Sequence, residues 1–388
     1  MPVSTVRIHS MDALRASTML LLVPVHAAGL VSLNGHEGTW ATGVYWLVHV
    51  FRLPLFFAMS GFFLALLLSS KGLRATARNR TVRIAVPLAV GLVTLIPMTI
   101  AAAQQTGTAM TAAGDVPVGS AFAFEPGFLW FLWYLLIVDA GAIALYLLAP
   151  GLLRTAGERV RDLIVRPLFG IAVLAVPTAI ALWPAPHWVS SPAIDTFVPE
   201  LPVLAYNALF FGLGATLCVH RELVAAVSRD AWRWAACAVA ATLPAGILFS
   251  LHNSPLGDSA AVHAAALLIY AIATWTCLLA LVGLASRYLS RPRPALRYLA
   301  DSSYWIYLSH MPAMVLVVAL AGTVALGTGP KFALVTFGAL AFSLLTYPLL
   351  VRYTVIGRML NGRRTRKPRR GPFSLRTEPN PLPAESSS

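Results

Sequence analysis

Apolar runs long enough to cross a bilayer recur along the chain, at approximately 12–33, 43–69, 82–103, 128–149, 165–183, 203–220, 231–250, 262–285, 298–321 and 331–353. Each comes near the ~20 residues that a membrane-spanning helix needs. Leu, Ala and Val dominate them, with no alternation of period two, so they predict helices and not the strands of a transmembrane barrel. The pattern therefore predicts an all-α, polytopic membrane protein of about ten transmembrane helices. Residues 1–355 form its membrane domain. The remainder, 356–388, is basic and then rich in Pro and Ser, a composition that cannot bury a core and predicts a disordered tail.

Composition agrees: of 388 residues 58% are hydrophobic and only 11% charged. A soluble domain carries about 25% charged residues. The net charge of +14 invites a nucleic-acid partner, but its placement argues for a lipid one. Lys71, Arg74, Arg78, Arg80 and Arg83 follow the second run, and Arg154, Arg159, Arg161 and Arg166 the fourth. Arg221, Arg229 and Arg233 follow the sixth, and Arg287, Arg291, Arg293 and Arg297 the eighth. The alternate connections (34–42, 104–127, 184–202, 251–261 and 322–330) contain no Lys or Arg. Such asymmetry places both termini in the cytoplasm and the chain in the cell membrane. The first run is too long for a cleavable signal peptide. Cys218, Cys237 and Cys277 all fall within predicted helices and imply neither a disulfide framework nor a metal site.

Polar positions inside the apolar runs are the exceptions that point to chemistry. An ionisable group within a membrane helix costs several kcal/mol unless it faces a polar cavity. Arg15 and His26 lie eleven residues apart in the first run. At 100° per residue they share a helix face, roughly 16 Å apart along the axis. His49 and Arg52 sit one turn apart in the second run, with Pro54 beside them to bend the helix. Arg52 is always charged and needs an anionic or carbonyl partner. Asp139, the carboxylate of the fourth run, is one structural candidate; a substrate clamp is the functional one. In the ninth run Ser303, Tyr307 and His310 share a face. His26, His49 and His310 are expected at similar depth, which predicts a shared polar chamber with Arg52 and Asp139. No metal-ligand spacing, phosphate loop or nucleophile elbow accompanies them, so no metal is expected. Acyl transfer suits this set: an imidazole can take the proton of an acceptor hydroxyl as its oxygen attacks an acyl carbonyl. Arg80 and Arg83, at the basic entry to the third run, suit a phosphate-rich donor or simply mark topology. The long outer connections carry Asp115, Glu125, His187, Asp195 and Glu200, fit to frame a polar substrate or to be ordinary solvated loops.

Several separated motifs resemble the acyltransferase 3 family of integral membrane acyltransferases. MDALRASTMLLLVPVH resembles its first-helix pattern of Arg, ten residues, then His. PLFFAMSGFFLALLL is similar to its second-helix signature, RTVRIAVP to its Arg-x-x-Arg element, FLWFLWYLL to its Trp-rich fourth helix, and SSYWIYLSHMP to its late Ser-Tyr motif. HVFRLPLFFAMSGFF most resembles the branch containing the membrane succinyltransferase of periplasmic glucans. The resemblance implies transfer of an acyl group from cytoplasmic acyl-CoA, a co-substrate and not a resident cofactor, to a hydroxyl of a carbohydrate or similar acceptor. It implies that His26 is catalytic and Arg15 its motif partner, that Arg80 and Arg83 contact the donor, and that Ser303, Tyr304, Tyr307 and His310 form the late motif. Arg52 would then face the acyl group. The competing expectation is a carrier or flippase for a polar lipid or sugar, relaying protons through His26 and Asp139. The chain shows no fixed-period repeat of the kind that marks inverted-repeat transporters.

Overall fold

A computed structural model describes residues 9–33, 39–106, 125–185, 196–251, 254, 257, 259–321 and 326–361. Among these residues there is no strand. Long apolar runs in lipid leave the backbone no hydrogen-bond partner except itself, and the helix is the single-segment solution. Eight stretches are long and apolar enough to cross a membrane, and Phe169–Leu182 is a shorter apolar helix.

The first run is α1 (His9–Leu33), which packs against α2 (Thr39–His49), α3 (Arg52–Arg80), α12 (Ala260–Tyr288), α13 (Pro294–Ala321) and α14 (Thr328–Thr346). α1 is thus an inner helix, and its Ser10, Thr18 and His26 are buried in protein. The second run is not one continuous helix. It breaks between His49 and Arg52, two residues before Pro54, whose ring cannot fit beneath the preceding turn. The apolar stretch Gly43–Gln105 is 63 residues long. As one helix it would measure about 95 Å, three times the ~30 Å hydrocarbon layer, so it must fold back. It does so at Gly72, whose φ of 76° is a left-handed conformation that residues with a Cβ avoid. The reversal brings Arg80 onto Ser60, with Nη2 donating to the Ser60 carbonyl at 2.9 Å.

Beyond the turn the chain runs through a π-helical segment, Thr81–Ala85, into α4 (Val86–Val93) and α5 (Leu95–Thr106). α6 (Trp130–Leu148) follows. The basic connection after it forms α7 (Pro150–Ile164), and the one after α9 (Leu201–Val219) forms α10 (Arg221–Arg229). α8 (Pro167–Leu182) lies between α7 and α9, and α11 (Ala231–Ser250) pairs with α12. After α14 the helical structure continues past residue 355 as α15 (Val355–Asn361), inside the segment expected to be tail. Of the outer-loop residues named above, Asp115, His187 and Asp195 lie outside the described residues, as does 362–388.

The outward surface is aliphatic: Leu148, Leu320 and Leu349 are 85%, 73% and 73% exposed. Such side chains are stable there only against lipid tails. Between helices, small residues permit close backbone approach. Along α3 and α9, a Cβ built on Gly214 would lie 1.7 Å from the Ala58 carbonyl oxygen, and one on Gly61 2.0 Å from that of Phe211.

Candidate active site

Four helices bring the intramembrane polar residues together. His26 on α1 lies beside His310 on α13, with ring centroids 5.1 Å apart. His49, at the end of α2, and Arg52, at the start of α3, are within electrostatic reach of His26. The break near Pro54 puts His49 and Arg52 on successive helices, and Arg52 Nη2 meets His49 Nε2 at 3.3 Å. All four side chains are buried. The three imidazoles and Arg52 come together as a cluster, although none of them lines the cavity described below. Asp139 is not part of the cluster.

Backbone carbonyls set two of the imidazoles. His310 Nδ1 is 2.6 Å from the Tyr307 carbonyl, and His49 Nδ1 is 2.7 Å from that of Tyr45. A carbonyl can only accept, so each Nδ1 carries the proton and each Nε2 keeps its lone pair. Tyr45, which sequence reasoning passed over, also stacks on His49 at 3.9 Å. His310 Nε2, His26 Nδ1 and two nitrogens of Arg52, Nε and Nη1, are buried with no hydrogen-bond partner in the protein. Buried polar atoms without partners are uncommon in native folds, and four in one cluster mark a place built for a polar ligand.

A cavity of about 290 Å³ is lined by Arg15, Arg80, Arg83, Ser303, Tyr304 and Tyr307 among others. Six of the residues singled out from sequence thus share one wall. Arg15 donates through Nη2 to the Ala300 carbonyl at 2.9 Å and pairs with Asp12 at 3.3 Å. Ser303 also donates to the Ala300 carbonyl, at 2.8 Å. Tyr304 donates to the Arg83 carbonyl, tying α13 to the π-helical segment. Tyr307 lines the cavity and adjoins the histidine cluster. Its hydroxyl donates to the Phe128 carbonyl at 3.1 Å, and its ring centroid is 6.1 Å from that of His310. Asn361 of α15 also lines the cavity, a contribution hidden in a segment that reads as tail.

Asp139 pairs with Arg80, Nε to Oδ1 at 3.6 Å, and not with Arg52. The turn at Gly72 carries Arg80 back beside α6, whereas Arg52 Nη2 faces His49. With its other nitrogens on Ser60, Arg80 is anchored to protein. Among the described residues no group of three or more His, Cys, Asp or Glu side chains converges as a metal site.

The cavity's polar lining can hold a polar molecule, with Tyr307 standing next to His310. Comparison with known proteins names the class. The sequence model of one family, described as an acyltransferase domain, matches residues 8–348. Glucans biosynthesis protein C of Salmonella gallinarum is 26% identical over 328 residues, covering 79% of this chain and 82% of the relative. The proteins of the same name from Salmonella paratyphi B and Salmonella heidelberg are 26% and 25% identical over the same length. No solved structure matches. An all-helical chain with several membrane-length helices, matched by that domain over nearly its whole length, belongs to the acyltransferase 3 family of membrane acyltransferases.

Proposed function

We propose that this acyltransferase moves an acetyl or succinyl group from cytoplasmic acyl-CoA to a hydroxyl of a carbohydrate, with His26 as general base. The observation that carries the reading is the cavity lined by Arg15, Arg83 and Tyr307, with the Tyr307 ring next to His310, which lies beside His26. The basic connections favour ten crossings of the cell membrane with both termini in the cytoplasm, so the Arg15 end of the cavity faces the donor's compartment. The relatives' name supports a glucan-like acceptor.

In this reading His26 accepts the proton of the acceptor hydroxyl as its oxygen bonds to the thioester carbonyl carbon. The carbon–sulfur bond then breaks, and the thiolate takes the proton back from His26 and leaves as free thiol. His310, with its tautomer set by Tyr307, orients His26. Arg52 offers its unsatisfied nitrogens to the carbonyl oxygen or to a carboxylate on the acyl group. Arg80, pinned by Asp139 and Ser60, positions the wall from which Arg83 and Arg15 meet the donor.

The test is His26→Ala in purified protein in nanodiscs, given acyl-CoA and a glucan. Turnover should fall at least about 100-fold, the usual reach of general base catalysis, with the melting midpoint unchanged. Wild-type turnover in that variant removes the proposed base. Movement of a glycan across vesicles without thiol release would put the carrier in the enzyme's place.

A further inference from the structure

A second hollow of about 290 Å³ lies one helical turn nearer the chain's start on α1, lined by His9, Asp12, Arg291, Arg293 and Arg297. Nothing in the catalytic reading uses it. Arg291 and Arg293 alternate with Pro292 and Pro294, and proline locks its own φ and restricts the residue before it. The two guanidinium groups are therefore presented on a stiff segment, and Arg297 follows on the first turns of α13. The hollow's one described carboxylate, Asp12, is paired with Arg15. Three arginines thus face one concave space, the pattern that suits phosphate oxygens.

Its position is as informative as its charge. Asp12 lines this hollow and Arg15 lines the catalytic cavity, so the Asp12–Arg15 pair stands between the two. On the facing helix the order is the same, with Arg297 in the hollow and Ala300 in the cavity. From Asp12 to His26 is about 21 Å along α1, at 1.5 Å per residue. A thioester at His26 therefore has its carrier's far end at this hollow if the carrier is long and extended, as a pantetheine arm ending in phosphates is.

We infer that Arg291, Arg293 and Arg297 form a subsite for the phosphate end of the thioester donor, separate from the cavity that receives its arm. The inference rests on the acyl-CoA reading given above. Phosphate on an anionic lipid headgroup has the same chemistry, and the experiment separates the two sources.

The double variant Arg293→Gln/Arg297→Gln is assayed in nanodiscs of neutral and of anionic lipid, with acyl-CoA and with the matching acyl-pantetheine, which lacks phosphates. The expected result is an apparent KM for acyl-CoA raised about tenfold or more in both lipids, as two lost charge-assisted hydrogen bonds imply. kcat and the KM for acyl-pantetheine stay at wild-type values. Binding of CoA and pantetheine, measured by calorimetry, should show the same contrast. An unchanged KM, or an equal rise for both donors, overturns the subsite. A change confined to anionic nanodiscs assigns the hollow to lipid and also overturns it. A variant that uses acyl-CoA no better than acyl-pantetheine, beside a wild type that favours acyl-CoA, upholds the subsite. If the wild type turns over no thioester, that reading falls and takes the subsite with it.

Discussion

Asp139 is 1% exposed and faces Arg80 at 3.6 Å, so each of two charges inside the bundle depends on the other. Breaking a buried pair by removing one partner typically costs about 3–5 kcal/mol, whereas replacing both by apolar groups costs far less. Asp139→Asn is therefore expected to lower the thermal midpoint sharply, and Arg80→Met/Asp139→Leu to recover much of the loss, read by differential scanning in detergent. A single variant melting with the wild type would show that the pair holds nothing together. Residue types were legible from sequence and their partners were not. Arg80 reads there as a donor contact beside Arg83, yet its guanidinium is spent on Ser60, twenty positions earlier, and on a different helix's carboxylate. Only the turn at Gly72 makes those neighbours.

α3 and α9 cross so closely that glycine is required at the contact. Gly214 sits against the Ala58 backbone, whereas a Cβ on nearby Gly212 meets nothing within 4 Å. Backbone cannot step aside as a side-chain tip can, so Gly214→Ala must push the helices apart. Overpacking of this kind costs about 1–3 kcal/mol. Gly212→Ala should be neutral or slightly stabilising, because alanine favours a helix over glycine. Melting midpoints of the two variants check the contrast, and equal shifts would contradict the packing. Nothing in the run FFGLGATL separates the two glycines. The break before Pro54 was legible, because a proline's missing donor and ring are local facts. The amphipathic helices α7 and α10 were read only as charged connections, since their apolar faces gain meaning from the bundle they rest on.

For the molecule as a whole, the basic asymmetry predicts which ends of the helices meet the cytoplasm. In a background with Cys218, Cys237 and Cys277 replaced, Arg154→Cys should react with an impermeant thiol reagent only in inside-out vesicles. Gly329→Cys should react only in right-side-out cells. Reaction of both from one side would refute the ten-crossing topology. The sequence by itself determined the solvent and the class of structure, because apolar runs of that length can satisfy their backbone in lipid only as helices. It also marked His26, His49, Arg52 and His310, since ionisable groups are costly in such runs unless they serve one another or a substrate. The tertiary structure alone decided that Asp139 leaves that group for Arg80 and that Tyr307 and Asn361 line one cavity. Those are contacts between helices distant in the chain, and no local pattern encodes which side chain will lie across the gap.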